Sequence, residues 1–136
     1  QQELKARTGD PCCEPLFTTD GSDRLLRETP TANLFVVMEG IVCTPPRTKT
    51  LDGIASRTVE ALCAQLGIAF REREIALAEA MHHASEWMLS NSTFCLAPVG
   101  RVAGRPVNPR GPIFTRLLRA WSDQAGVDIA GQFAGY

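Results

Sequence analysis

The chain has 136 residues, 44% of them apolar and 21% charged, a composition that fits one soluble globular domain with a real core. Its formal net charge of −1, from 14 basic and 15 acidic residues interspersed along the chain, leaves no electrostatic footprint for nucleic acid or an anionic membrane. The longest apolar stretches, around Leu34 to Met38 and Phe94 to Val99, are strand-sized and too short to span a bilayer.

The polar start, Gln1-Gln2-Glu3-Leu4-Lys5, lacks the layout of a secretory signal and reads as an internal point of a longer chain. Gln2 to Thr8 reads as the tail of a helix, because Gly9 suits the left-handed position after a helix and Pro11 cannot continue one. Leu16 to Thr19 and Arg24 to Glu28 flank Asp20-Gly21-Ser22-Asp23, a short hairpin. Asn33 to Met38 and Ile41 to Cys43 straddle Glu39-Gly40 in a second one.

After Pro45-Pro46 and a polar loop, Asp52-Gly53 opens a segment with Val59, Leu62, Cys63 and Leu66 at helical spacing, closed by Gly67. Ile68 to Ile75 reads as a charged, alternating strand, and Leu77, Ala80, Met81 and Ala84 share one face of a following helix. Trp87 to Ser90 and Phe94 to Val102 read as strands around Asn91-Ser92-Thr93, with a further turn and edge strand over Arg101 to Val107. Pro112 fits the first turn of a terminal helix that turns Ile113, Leu117, Leu118 and Trp121 inward. The expected fold class is α/β: a single domain over 1–136 with helices packed on a mixed sheet.

Five cysteines, Cys12, Cys13, Cys43, Cys63 and Cys95, form an odd set without paired metal spacings, which suits reduced thiols in a cytoplasmic protein and no metal site. Cys63 and Cys95 read as small buried apolar residues. The glycine turn Asp52-Gly53-Ile54-Ala55-Ser56 feeds a helix whose first amides are free to seat a phosphate, although many helices start this way with nothing bound. Ser90-Asn91-Ser92-Thr93 offers hydroxyls and amides to the same kind of site, and ordinary turn chemistry explains it equally well. Glu28, before Thr29-Pro30-Thr31, is by itself a surface carboxylate or a capping residue.

The order of these pieces resembles the fold type IV pyridoxal-phosphate enzymes, the class IV aminotransferases that include branched-chain and D-amino-acid aminotransferases and aminodeoxychorismate lyases. The residues that carry the resemblance are Leu25-Leu26-Arg27-Glu28 before Asn33-Leu34-Phe35-Val36-Val37, and Leu51-Asp52-Gly53-Ile54 before Thr58-Val59. Ala84-Ser85-Glu86 leading to Ser90-Asn91-Ser92-Thr93 and Pro98-Val99, then Val102-Ala103-Gly104-Arg105-Pro106 and Gly111-Pro112-Ile113-Phe114, continue it, so that it runs from about Thr8 to about Ile129.

The resemblance implies the carboxy-terminal, cofactor-phosphate-binding domain of a D-amino-acid-aminotransferase-like enzyme with pyridoxal 5′-phosphate as cofactor. It implies that Glu28 faces the pyridine nitrogen, that the amides of Ile54 and Ala55 after Gly53, with Ser92 and Thr93, hold the phosphate, that Asn33 braces the Glu28 loop and that Leu51 packs near the ring. The implied reaction moves an amino group between an amino acid and a 2-oxo acid in a homodimer.

Three departures stand out. Ala55-Ser56 replaces the Thr-Arg of many relatives, and Asn91-Ser92 replaces a Gly-Thr, a choice similar to aminodeoxychorismate lyases. The family's Schiff-base lysine lies further upstream of the glutamate than this chain extends: Lys5 is too close to Glu28 and Lys49 lies in the wrong segment. The amino-terminal domain is thus expected to be missing and the chain inactive alone. A lyase that eliminates pyruvate and a non-catalytic remnant or binding module are the alternatives.

Overall fold

The computed structural model describes residues 2–4, 14–107 and 111–126. Its centre is a five-stranded sheet in the order β5-β4-β3-β6-β7. The central strand β3 (Asn33–Met38) is buried at every position, as an apolar run covered on both faces should be. β3 turns into β4 (Ile41–Thr44) through Glu39 and Gly40, whose φ values of 53° and 75° make the doubly left-handed corner that a two-residue hairpin requires.

From β4 the chain crosses through α1 (Ile54–Leu66) to β5 (Phe70–Glu72), which pairs parallel with β4. Gly67 closes α1 in the left-handed conformation, at φ 72°, and Ile68 donates back to the Cys63 carbonyl at 2.8 Å. The short helix α2 (Leu77–His83) leads to β6 (Glu86–Asn91), antiparallel to β3, and β7 (Cys95–Pro98) pairs antiparallel on its far side. The strand expected over Phe94 to Val102 is broken at Val99-Gly100, and β8 (Arg101–Val102) and β9 (Arg105–Pro106) form a small separate hairpin. α3 (Pro112–Ala125) ends the described chain.

Strand alternation divides the core. Phe35, Val37, Val42, Met88 and Leu96 face Val59, Leu62 and Cys63 of α1 and Phe114, Leu117 and Leu118 of α3. Leu34, Val36, Met38, Cys43 and Trp87 face the other way, against Leu16, Leu26, Ile75 and Ala80. The sheet is therefore mixed, with helices on both faces, as expected. Cys63 is buried and its thiol is pushed up to about 11 by desolvation, with the Glu60 charge adding to it, while Cys95 is half-buried.

At the amino end the expectation of a helix tail fails. Gln2–Leu4 is a strand, β1, antiparallel to β2 (Leu16–Thr18) in the register Gln2↔Thr18. Three residues without a helical apolar stripe take the conformation set by a long-range partner, which local propensity does not contain. Lys5, Gly9, Pro11, Cys12 and Cys13 lie outside the described residues.

Two contacts fix helix ends, the start of α3 and the last residue of α1. Glu86 opens β6 fully buried and accepts from the Ile113 amide at 3.1 Å and the Phe114 amide at 2.8 Å, so a carboxylate closes the amino end of α3. Gly111, the residue before that helix, leaves the room this needs, because a Cβ there would fall inside the Glu86 carboxyl group. Near the same end of α3, Arg116 donates to the Leu66 carbonyl at the end of α1 at 3.1 Å.

Candidate cofactor cleft

Glu28 ends the hairpin that follows β2. Phe17 donates to the Glu28 carbonyl and accepts from the Arg27 amide, both at 2.9 Å, so Arg27 and Glu28 point to opposite sides. Arg27 turns inward, where its guanidinium meets Glu74 at 2.7 and 3.3 Å and the Leu26 carbonyl at 2.8 Å. This buried anchor fixes the neighbouring Glu28 on the cleft side. The turn beyond is closed by Thr29, whose hydroxyl accepts from the Ala32 amide at 3.0 Å, and Glu14 accepts from the hydroxyls of Thr29 and Thr31.

The Glu28 carboxylate accepts from the Leu51 amide at 3.1 and 3.2 Å and from Asn33 Nδ2 at 3.3 Å. The same Asn33 nitrogen donates to the Leu51 carbonyl at 2.8 Å. Asn33 thus ties the glutamate to the loop that enters α1. It also approaches that loop closely enough to dictate a glycine: a Cβ on Gly53 would lie 2.7 Å from Asn33 Oδ1.

α1 begins at Ile54 with no side-chain cap and no acidic residue in its first turn. The amides of Ile54, Ala55 and Ser56 precede the first helical bond, which Arg57 makes to the Gly53 carbonyl at 3.1 Å. Asp52 takes Arg57 in a two-pronged ion pair at 2.8 and 2.6 Å, which holds its carboxyl below the usual carboxylate range. Both groups sit at the surface.

These elements line one cleft of about 340 Å³, a size within the range of small-ligand sites. Glu28, Asn33, Leu51, Gly53, Ile54, Ala55 and Ser92 all border it, together with Phe17, Ser90 and Asn91. Thr93 does not: it is exposed, and its amide donates to Asn91 Oδ1 at 2.9 Å. The Asn91 side chain also accepts from Phe94 and donates to the Thr31 carbonyl at 3.0 Å, so the residue that stands in place of a glycine builds the turn that presents Ser92. Leu51 is 74% exposed and Ile54 86%, the two large apolar side chains that the described fold leaves uncovered, and both flank the cleft.

Arg47 escaped sequence reasoning, and Ser90 was read only as part of the Ser90-Asn91-Ser92-Thr93 turn, not as a buried residue. Arg47 sits in the loop read only as polar, yet its side chain is 9% exposed. It pairs with Glu60 at 2.7 Å, reaches the Ser56 hydroxyl at 3.3 Å and lies over the Phe70 ring at 5.6 Å, which braces the first turn of α1 from beneath. Ser90 is fully buried and its hydroxyl has no hydrogen-bond partner among the described residues, a state that costs about 1–3 kcal/mol. No local signal marks Arg47, and Ser90 becomes informative only once its register opposite Asn33 is known.

A family model for amino-transferase class IV matches residues 1–102, and the chain belongs to that family, whose members depend on pyridoxal phosphate. It is 30% identical over 93 residues to the branched-chain-amino-acid aminotransferase of Pseudomonas aeruginosa, which covers 67% of this chain and 30% of that protein. The structure of the branched-chain amino acid aminotransferase from Escherichia coli matches with a TM-score of 0.67 and 32% identity, over 71% of this chain and 34% of that one. The 4-amino-4-deoxychorismate lyase from Pseudomonas aeruginosa matches with a TM-score of 0.67 and 25% identity, over 73% and 36%. The chain therefore spans about a third of the length of these relatives. Among the described residues no helix is long and apolar enough to cross a membrane.

Proposed function

We propose that this chain forms the cofactor-phosphate-binding domain of a pyridoxal-phosphate-dependent aminotransferase that moves an amino group between an amino acid and a 2-oxo acid. The observation that carries this reading is one cleft joining a fixed carboxylate, Glu28, to the uncapped amino end of α1, a serine turn and two exposed apolar side chains. A ligand with a cationic ring nitrogen, a flat apolar body and a phosphate dianion matches those groups in kind.

The start of α1, with no side-chain cap and no acidic residue in its first turn, fits such a group. The amides of Ile54 and Ala55, with the Ser92 hydroxyl, would hold the phosphate, and Ala55 in place of a threonine leaves the amides intact. Glu28 would keep a proton on the ring nitrogen, while Asn33 and the Leu51 amide hold the carboxylate in place. Leu51 and Ile54 would cover the ring edge and exclude water. When bound, pyridoxal phosphate supplies an electron-accepting ring that weakens the bond to the substrate's alpha proton.

The amine that moves this proton has no counterpart here. Lys49 is an exposed residue of the loop before α1, and Lys5 is only 23 positions before Glu28 in the sequence. The reading therefore includes an amino-terminal domain that brings the lysine, a homodimeric parent in the cytoplasm, and no activity for this chain by itself. A lyase reading is favoured by Asn91-Ser92 and by the likeness to the lyase fold.

Full-length protein incubated with branched-chain and other amino acids and 2-oxo acids should form the exchanged pair, and aminodeoxychorismate should yield no pyruvate. Pyruvate release without amino exchange would replace this reading with the lyase. Amino transfer by the 136-residue chain alone would overturn the assignment of the lysine to another segment.

A further inference from the structure

The loop from Pro46 to Gly53 carries two contacts that fix the cleft's carboxylate: the Leu51 amide donates to Glu28, and the Leu51 carbonyl accepts from Asn33. The loop's own side chains do not pack it down, since Thr48, Lys49, Leu51 and Asp52 are exposed. With so few buried apolar contacts, such a segment opens readily unless polar contacts hold it. Most of its bonds are local: the Lys49 amide and the Thr50 hydroxyl donate to the Pro46 carbonyl at 2.9 and 3.5 Å, and Gly53 donates to the Leu51 carbonyl at 3.0 Å.

Arg47 reaches further. Its amide donates to Glu72 Oε1 at 2.7 Å, which ties the start of the loop to the end of β5. Its guanidinium donates to Glu60 at 2.7 Å and to the Ser56 hydroxyl and carbonyl at 3.3 and 3.4 Å, all on α1. Asp52, near the far end of the loop, lies 3.8 Å from Nε. One side chain, itself 9% exposed, joins both ends of its loop to α1 and β5.

This arrangement is a poor way to gain stability. The Arg47 Nε is buried without a hydrogen-bond partner among the described residues. A buried ion pair is often replaceable by an apolar side chain of similar volume at no cost, and removing one partner is damaging chiefly when it strands a buried charge. Asp52, Glu60 and Glu72 are 45%, 43% and 42% exposed, so water takes over from the guanidinium when it is removed. An apolar replacement fills the space and loses the hold on the loop.

We infer that Arg47 is a positioning residue for Glu28: it holds its loop on α1 and β5 and so presents the Leu51 amide at which the Glu28 carboxylate is fixed. Its effect on catalysis rests on the function proposed above; the hold on Leu51 does not. Arg47→Met keeps an unbranched stem beside the Phe70 ring and removes every side-chain donor. In full-length protein it should slow the half-reaction with an amino donor about tenfold, the scale of one lost hydrogen bond. Added to Glu28→Gln it should have almost no further effect, because both changes act on one group.

The test has two arms. In the 136-residue chain, NMR follows amide hydrogen exchange, and Arg47→Met should speed exchange at Leu51 about tenfold while the amides of β3 keep their protection. Exchange at Leu51 equal to that of the unaltered chain overturns the inference. Equal acceleration at Leu51 and in β3 makes Arg47 a support of the fold as a whole and overturns it too. In full-length protein, single-turnover rates are compared for both single variants and the double one. An Arg47→Met protein as fast as the unaltered one, or losses that multiply in the double variant, overturn the route through Glu28. Absence of amino transfer from the unaltered full-length protein refutes the proposed function, and the exchange arm then decides the hold on Leu51 by itself.

Discussion

Glu28→Gln in full-length protein should slow proton abstraction from an amino donor about a hundredfold, the usual scale for losing one well-placed electrostatic partner. A neutral amide stabilises a protonated ring nitrogen less than a carboxylate does, so charge developing in the ring is less well accommodated. The fold should tolerate the change, because a glutamine oxygen can still accept from the Leu51 amide, the contact now made at 3.1 Å. Phosphate affinity should hold, since the amides of Ile54 and Ala55 are untouched. Single-turnover kinetics read the half-reaction directly. A rate equal to that of the unaltered protein would reduce Glu28 to a loop-bracing residue that serves Leu51 and Asn33 only.

Glu86→Ala should be the most damaging single change to the fold. It leaves the amides of Ile113 and Phe114 buried without their acceptor, and it opens a void in a fully closed site. Charge-assisted bonds to a helix start, lost with their partners stranded, are worth about 2–4 kcal/mol together. For a domain of this size that lowers the thermal midpoint by roughly 10 °C. Gly111→Ala should approach the same loss for a steric reason. Its φ of −70° suits any residue, but the added carbon would drive the Glu86 carboxyl out of its place. Thermal unfolding followed by circular dichroism measures both, and a drop of only 1 or 2 °C in either would show that α3 is held without this cap.

The elements with a strong local signature were legible in the sequence. Glu39-Gly40 between apolar runs could only be a tight hairpin, and Gly53 and Gly67 bracketed α1 because each marks a helix end. The cleft was legible in its parts through the resemblance: Glu28, Asn33, Leu51, Gly53, Ile54, Ala55 and Ser92 meet at one place, although residue types alone left every one of them with an ordinary explanation.

What failed or was missed depends on distant partners. Gln2–Leu4 is a strand because β2 lies beside it, and β5 is shorter than its alternating pattern because only Phe70–Glu72 finds β4. Thr93, exposed like its neighbour Ser92, gives its amide to the Asn91 side chain, a contact that the residue types alone do not announce. Glu86 was read as part of a motif near the phosphate turn, and the buried helix cap it makes depends on a helix 26 positions later. Arg47 and Ser90 gain their meaning from burial, which no local pattern around them announces.

The most direct measurement is a crystal structure of this chain grown with pyridoxal 5′-phosphate. The phosphate should lie within hydrogen-bonding distance of the Ile54 and Ala55 amides and the Ser92 hydroxyl, with the ring against Leu51 and its nitrogen toward Glu28. A ligand bound elsewhere, or one in this cleft with its phosphate away from the start of α1, would contradict the assignment of the cleft.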